Sequence, residues 1–571
     1  MAKRNVEDIK RESRHLRGGI ADELAKGTTH FGEDDIQLLK FHGSYQQDDR
    51  DVRKERQKAG EERAFIMMVR SKIPGGRLTP EQYLVHDRCA DDFGNGTIRI
   101  TSRQGFQIHG VLKGDLRSHI RRINESGLTT WGACGDVVRN VMATPVPLDT
   151  PVHRDTQTLA RELSEAFAAK SRAYSEIWLD GQRVTDEPEE EPLYGEVYLP
   201  RKFKIGIAIP PRNDVDILTH DIGLVPHAPD GELDGYTVFV GGGFGMTHGK
   251  TETHPALAQP LLYAARGDVV AICRAIITVQ RDHGDRENRK RARMKYLIET
   301  KGLEWFRGEV LSRAEGAWVS DPKPITWETV EDPLGWHEQG DGRLFLGVWV
   351  EDGRIADKGE RRWRSAFRAI CERFGFPIRL TPNCNILLHD IEPAQRSEVD
   401  ALLAEHGIPT VDHLTRVRQT AMACVALPTC GLALAESERA LPGLLDRIEE
   451  VMRDLGLADE PILIRMTGCP NGCARPYNAD IAFVGRSPEK YAMFVGGSAD
   501  GCRLAGLHTH TVTADEIPGA VRALLEEFRA NRRGSETFSA WWGRTQTSGA
   551  APHPEQFHVE LAARRSVPQG E

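Results

Sequence analysis

No stretch of this chain stays apolar for anything near the roughly 20 residues that cross a bilayer. Its opening residues, Met1-Ala2-Lys3-Arg4-Asn5-Val6-Glu7, lack the apolar core that a signal peptide needs. The expectation is a cytoplasmic protein with no membrane attachment. There is no global basic excess either: the formal net charge is −9 with acid and base interspersed, so no field draws in nucleic acid. The glycine cluster Gly241-Gly242-Gly243-Phe244-Gly245 is too loose for a dinucleotide fingerprint, lacks the acidic residue that should follow, and reads as a turn or a close backbone approach. No flavodoxin-like or nicotinamide-binding module is visible elsewhere, so any redox function needs an outside electron source. A short disulfide-stapled fold is excluded too. The 571 residues, 39% of them hydrophobic, can bury a large core in three or four domain-sized units. In a reducing compartment the ten cysteines are free or metal-bound.

Four of those cysteines stand out. Cys424 and Cys430 form a C-x5-C pair within Ala423-Cys424-Val425-Ala426-Leu427-Pro428-Thr429-Cys430-Gly431. Cys469 and Cys473 form a C-x3-C pair within Thr467-Gly468-Cys469-Pro470-Asn471-Gly472-Cys473. Pro470 cannot donate to a helix ladder, and Gly468 and Gly472 admit dihedrals closed to other residues, so the second segment should be a tight turn wrapped around an object. Four converging thiolates point to an iron–sulfur cluster. Zinc, whose sites usually space their pairs as C-x2-C or C-x4-C, and unliganded buried cysteines stay open as weaker readings.

The chain also repeats itself. Gly76-Arg77-Leu78 is echoed by Gly353-Arg354-Ile355, Ile98-Arg99-Ile100-Thr101 by Ile378-Arg379-Leu380-Thr381, and Tyr236-Thr237-Val238-Phe239-Val240-Gly241-Gly242 by Tyr491-Ala492-Met493-Phe494-Val495-Gly496-Gly497. Three echoes in one order argue for an internal duplication, with the active site at the junction of the halves. Phe65–Val69, Thr97–Thr101 and Gly105–His109 read as strands, and a charged helix follows Pro80. A helix capped at Asp155-Thr156 carries Leu159, Leu163, Ala166 and Phe167 on one face, and an amphipathic helix spans Ala514 to Ala530. Residues 1 to about 60 are highly charged, equally compatible with a mobile arm and an ordered extension. Asp186-Glu187-Pro188-Glu189-Glu190-Glu191-Pro192 reads as a solvated acidic loop.

The segments Thr429–Arg439 (TCGLALAESER) and Thr467–Gly485 (TGCPNGCARPYNADIAFVG) resemble the cluster-binding motifs of siroheme-dependent sulfite and nitrite reductases, most closely the hemoprotein (beta) subunit of the assimilatory sulfite reductases. The resemblance runs from His42–Arg50 to the C-terminal third. It implies an α+β, pseudo-two-fold duplicated fold with ferredoxin-like half-domains and two mixed α/β cofactor-binding domains. The implied layout is an extension at 1–60, half-domains at 61–147 and 336–420, a siroheme- and substrate-binding domain at 148–335, and an iron–sulfur and siroheme-binding domain at 421–571. Cys424, Cys430, Cys469 and Cys473 would hold a [4Fe-4S] cluster, Cys473 would also ligate the siroheme iron, and Asn471 would lie against the cofactors. The implied reaction is the six-electron reduction of sulfite to sulfide in assimilatory sulfur metabolism and cysteine biosynthesis. Electrons would come from an NADPH-dependent flavoprotein subunit carrying FAD and FMN, with ferredoxin as the alternative donor. The rival readings are a siroheme nitrite reductase making ammonia and a non-catalytic four-cysteine metal-binding module.

A site for an oxyanion and a carboxylate-rich tetrapyrrole needs cations aimed inward, with Arg suited to bidentate contacts and Lys to point charge and proton donation. Arg70 and Lys72 flank a strand end, Arg99 and Arg103 frame a second strand, Arg139 precedes Asn140, and Arg201-Lys202-Phe203-Lys204 follows Pro200. Any one such residue is ordinarily a solvated surface charge. Strand alternation nevertheless puts Lys202 and Lys204 on one face, opposite Phe203. The resemblance matches Arg70, Arg139, Lys202 and Lys204 to the sulfite-binding residues, and Arg99, Arg103, Gln107, His109 and Arg201 to segments that contact siroheme. Asn288–Tyr296 reads as a helix with one basic face; within it Arg293 falls where a relative carries a siroheme-contacting lysine. Lys202-Phe203-Lys204 has the K-x-K pattern of sulfite reductases where plant-type nitrite reductases resemble K-x-N.

Overall fold

The echoed dipeptides leave their own halves and pair with the other. In the computed structural model, which describes residues 4–170, 178–179, 182–183, 191–546 and 553–560, strands Ser44–Asp48, Phe65–Arg70, Phe106–Val111 and Ile98–Ile100 lie side by side in that order. The fifth strand of their sheet is Arg354–Ile355. Reciprocally, Gly335–Glu338, Leu344–Val348, Ile386–Ile391 and Ile378–Leu380 take Arg77–Leu78 as their fifth. Arg354 stands opposite Arg99 and Ile355 opposite Ile98 in one sheet; Arg379 stands opposite Arg77 and Ile378 opposite Leu78 in the other. Ile98, Ile355, Leu78 and Ile378 are all buried, and a slip of one residue would turn each pair outward, which fixes the register.

Two mixed sheets, of six and five strands, share one plan. Met142–Ala143, Ile205–Ile207 and Ile222–His227 run parallel, then Gly235–Val240, Gln259–Ala265 and Val319–Ser320 continue antiparallel. Met422–Ala423, Ile464–Thr467 and Ile481–Ser487 run parallel, then Lys490–Val495 and Gly506–Thr513 continue antiparallel. The echoed Tyr236 and Tyr491 sit on the fourth strand of each. The expected duplicated α+β architecture is therefore the one observed.

Several local expectations shift. The charged N-terminal segment is ordered: Val6–Glu12, Ile20–Ala25 and Glu33–Leu39 are helices, and Ser44–Asp48 is a sheet strand. Ile9, Leu16, Ile20, Phe31, Leu38, Leu39 and Phe41 in it are buried. The helix expected to start at Asp155-Thr156 begins at Pro151 with Thr150 as its cap, accepting from His153 N, because Pro at the first turn needs no donor. Asp155 instead pairs with Arg266 at 2.8 Å. The basic run is not helical until Met294, with Arg293 as the capping position. The C-terminal amphipathic helix spans Ile517–Asn531. Most of the acidic loop and Ser548–Pro552 lie outside the described residues. Among the described residues no helix is long and apolar enough to cross a membrane.

Candidate active site at the junction of the halves

Strand Met422–Ala423 runs into Cys424, and its parallel neighbour Ile464–Thr467 runs into the Cys469–Cys473 turn. The Gly468 carbonyl accepts from Leu434 N at 2.7 Å and Ala435 N at 3.1 Å, pinning the Cys430 loop onto that turn. The two glycines do different work. Gly472 has φ +67°, the left-handed region, whereas Gly468 is required by close approach: a Cβ there would stand 2.6 Å from both Ala426 Cβ and the Ala435 carbonyl. Gly468 N (3.3 Å) and Thr467 Oγ1 (3.4 Å) donate to Cys424 Sγ, and Asn471 Nδ2 lies 3.5 Å from Cys469 Sγ.

Burial raises the Cys424 thiol to about 11, the Cys469 thiol to about 12, and the Cys430 thiol as well; the next cause in each is electrostatic repulsion from Cys473. The four cysteines thus lie within electrostatic reach of one another, where thiolates are costly unless a cationic centre answers them. Among the described residues no three His, Cys, Asp or Glu side chains are arranged to hold a single metal ion. Cys473 is the exposed one of the four. Ser102 Oγ, from the first half, donates to its carbonyl at 2.9 Å, and Arg70 and Lys202 both feel its charge.

The cations gather on that side. Arg70 donates to Gln107 Oε1 through Nη2 at 2.6 Å and Nε at 3.3 Å, and its Nη1 points at Cys134 Sγ, 3.3 Å away. Gln107 Nε2 in turn donates to His109 Nε2 at 3.0 Å, and His109 Nδ1 reaches Gln47 Oε1 at 3.2 Å. Burial, then Arg354, pushes the His109 pKa down to about 3, so the ring is neutral and fits this donor–acceptor chain. Arg139 is held by the Gly135 carbonyl at 2.6 Å and the Ala133 carbonyl at 3.4 Å. Arg103 donates to the Asn140 carbonyl, but its buried Nε has no partner. Burial and then Arg139 lower its pKa to about 9.

Lys202 falls to about 7 through burial and then Arg201 and Arg293; Lys204 falls well below the usual lysine range through burial and then Arg103, Lys202 and Arg293. Both side chains belong to half-buried residues, whereas Phe203 between them is buried. Among the described residues, Asp221 and Asp136 are the carboxylates in contact with the set. Asp221 Oδ2 accepts from Lys204 N at 2.8 Å and pairs with Arg293 at 3.0 Å; Asp136 pairs with Arg289 at 2.8 Å and lies 3.9 Å from Arg201. Positive charge is therefore in excess, the arrangement of a site for polyanions.

Not every expected residue joins in. Arg99 is buried with its donors committed to Glu438 at 3.0 Å, the Ala423 carbonyl at 2.8 Å and the Ile100 carbonyl. Arg354 also reaches Glu438, at 2.6 Å, and Glu438 N donates to the Cys424 carbonyl at 3.1 Å. Arg99 thus secures the exchanged strand and the Cys424 loop. Lys72 points into the first half toward the Ser164 carbonyl, 3.4 Å away. Asp136, Asp221 and Glu438 were not singled out by sequence reasoning; the one signal was that Glu438 lies inside the TCGLALAESER segment.

A family model described as the nitrite and sulphite reductase 4Fe-4S domain matches residues 134–317, and one described as the nitrite/sulfite reductase ferredoxin-like half domain matches 59–126 and 337–406. The first match covers the counterpart, in the first half, of the cysteine-bearing sheet, as a duplication requires. A ferredoxin-type sulfite reductase of Synechococcus elongatus is 45% identical, over 98% of this chain and 92% of its own. The NADPH sulfite reductase hemoprotein beta-components of Staphylococcus haemolyticus and Geobacillus thermodenitrificans are 43% and 46% identical, over 97% and 94% of both chains respectively. The structure of the Mycobacterium tuberculosis NirA protein superposes with a TM-score of 0.78 at 25% identity, covering 95% of this chain and 96% of that one.

Proposed function

Because the chain belongs to the nitrite and sulphite reductase family, we propose that it reduces sulfite to sulfide at siroheme and a [4Fe-4S] cluster. The overall change takes up six electrons and eight protons per sulfite and yields hydrogen sulfide and three waters. One observation carries this reading: Arg70, Arg103, Arg139, Arg201, Lys202 and Lys204 form one electrostatically linked set, joined to Cys473 through Arg70 and Lys202, with few carboxylates to answer them.

The residues fit both groups. Four mutually repelling thiols call for a cationic centre, and the excess of cations, with Arg103 Nε unpartnered, calls for carboxylates and an oxyanion. Cys424, Cys430, Cys469 and Cys473 would hold the cluster, with Cys473 shared with the siroheme iron and Asn471 alongside. Arg103, Arg201 and Arg293 would meet siroheme carboxylates, with Arg99, Gln107 and His109 behind them. When bound, the two groups supply one-electron transfers and an iron that takes the sulfite sulfur.

The chain's own part is electrostatic and acid–base. Arg70, Arg139, Lys202 and Lys204 neutralise and orient the sulfite oxygens in a water-poor cleft, where such contacts are strongest. Each oxygen leaves as water and must collect protons as its bond to sulfur breaks. With a pKa near 7, Lys202 gives up and regains a proton easily at neutral pH.

On this reading electrons come from a separate protein, since the sequence carries no legible nicotinamide- or flavin-binding motif. An NADPH-dependent flavoprotein subunit is the donor favoured, in line with the hemoprotein beta-component relatives; the Synechococcus relative supports ferredoxin as the second reading. The purified chain is expected to show intense siroheme bands and to reduce sulfite with reduced viologen but not with NADPH alone. NADPH turnover without a partner, or a spectrum without those bands, would overturn this reading.

A further inference from the structure

Asp216 and Arg475 hold the same place in the two halves. Each has a left-handed backbone, φ 50° and 54°, and each caps a single 3-10 turn, Ile217–Thr219 or Pro476–Asn478. Each turn leads into the third strand of its sheet. As pseudo-symmetric partners they meet where the halves join, and here the duplicated position carries opposite charges. The Arg475 guanidinium lies 2.5 Å from the Asp216 carboxylate, with the two side chains 8% and 0% exposed.

Asp216 serves more than one partner. Arg465 Nη1 lies 3.2 Å from the same carboxylate, and Asn478 Nδ2 donates to it at 2.7 Å. Arg465 sits on the strand that enters the cysteine turn, and Arg475 leaves that turn two residues after Cys473. Arg465 also donates to the Arg475 carbonyl at 3.2 Å, and Arg475 Nη2 reaches Asn383 Oδ1 at 2.5 Å and the Pro382 carbonyl at 3.0 Å. One carboxylate from the first half therefore holds both ends of the turn that carries Cys469 and Cys473. Beyond the 3-10 turn, Asp221 on the same segment holds Lys204 N and Arg293. The segment from Asn213 to Asp221 is a strap with the cysteine turn tied to one end and the anion-binding cations to the other.

The geometry points to Asp216 as a positioning residue: acting through Arg465 and Arg475, it fixes the Cys469–Cys473 turn against the Lys202–Lys204 face, so that the cluster ligands and the sulfite cations keep one relative placement. This rests on the reading that those cysteines hold the cluster. The test is Asp216→Asn in the full-length protein purified with its cofactors. Iron and siroheme content should stay near wild type while the electron paramagnetic resonance signature of the reduced cluster changes. With reduced viologen, kcat should fall about tenfold or more and KM for sulfite should hold within about twofold, the pattern of misplaced reacting groups.

An unchanged cluster signature and kcat, or an effect on KM alone, would overturn the proposal. Should Asp216→Asn yield no folded holoprotein, Arg475→Lys keeps the charge but gives up the fork to Asn383 and Pro382, and a wild-type signature and kcat there count equally against it. A wild type lacking siroheme and cluster absorption would overturn the proposal together with the reading beneath it; a normal wild type beside a normal Asp216→Asn overturns the proposal alone.

Discussion

Lys204 differs from the other cations in that its backbone N–H is tied to Asp221 while its side chain is left among Arg103, Lys202 and Arg293. Like charges so placed invite an anion, and the more charge the anion carries the better it is held. A cation about 4 Å from the ligand is worth up to roughly 4 kcal/mol at an effective dielectric near 20, and desolvation takes part of that back. A surviving 1.4 kcal/mol or so is about tenfold in affinity. Sulfite carries more negative charge than nitrite. Lys204→Asn is therefore expected to lower the ratio of kcat/KM for sulfite to that for nitrite by about tenfold, measured with one artificial donor for both. An unchanged ratio would remove Lys204 from the choice of substrate. The Lys202/Lys204 face was legible because alternation along an extended segment is local. The roles of Gln107 and His109 were not, because they depend on Arg70 lying on the neighbouring strand and on Gln47 from the N-terminal segment.

At the scale of elements, the exchanged strand Arg354–Ile355 is fastened by Glu438. Its carboxylate is buried, which alone would raise its pKa, but Arg354 and Arg99 outweigh burial and hold it at about 2. A carboxylate depressed in the folded state contributes stability that is fully present above its unfolded pKa and is lost as pH falls toward the folded one. The window is therefore from 4.5, the ordinary glutamate value, down to about 2. A shift of that size corresponds to about 3 kcal/mol. Glu438→Gln is expected to be less stable than wild type by about that much at pH 7, with the gap closing as pH falls through the window. Denaturant unfolding of both proteins across that range checks it, and a gap independent of pH would assign the loss to packing. The strands themselves were visible in the sequence as echoes. Their exchange was not, since a two-residue strand has no marker for which sheet it will join.

On the scale of the whole molecule, the N-terminal segment is tied to the body by a charge that never sees water. Lys10 has a fully buried side chain, donates to the Leu199 carbonyl at 3.0 Å, pairs with Glu7, and lies 3.8 Å from Asp136. Burial lowers its pKa, and Asp136 and then Glu7 oppose that. Removing one member of such a group strands the others. Lys10→Met is expected to cost about 3 kcal/mol and to lower the melting temperature by a few degrees in calorimetry. Asp136 also reaches Arg201 and Arg289, so sulfite KM should rise in the same variant. A melting temperature equal to wild type would show that the segment is not fastened there.

The sequence by itself determined the close pairing of the cysteines in a Gly/Pro turn and the fact of duplication. Both are local: cysteine spacing follows from the few residues of the turn, and an echo is a match between short stretches. Only the tertiary structure decided that Arg99 fastens an exchanged strand instead of joining the cation set, and that Asp216 meets its own counterpart, Arg475. It also decided that the charged N-terminal segment belongs to the body. Those outcomes rest on burial and strand register between residues far apart in the chain, and there the same Arg or Asp is a ligand, a clamp or a surface charge according to what the fold brings against it.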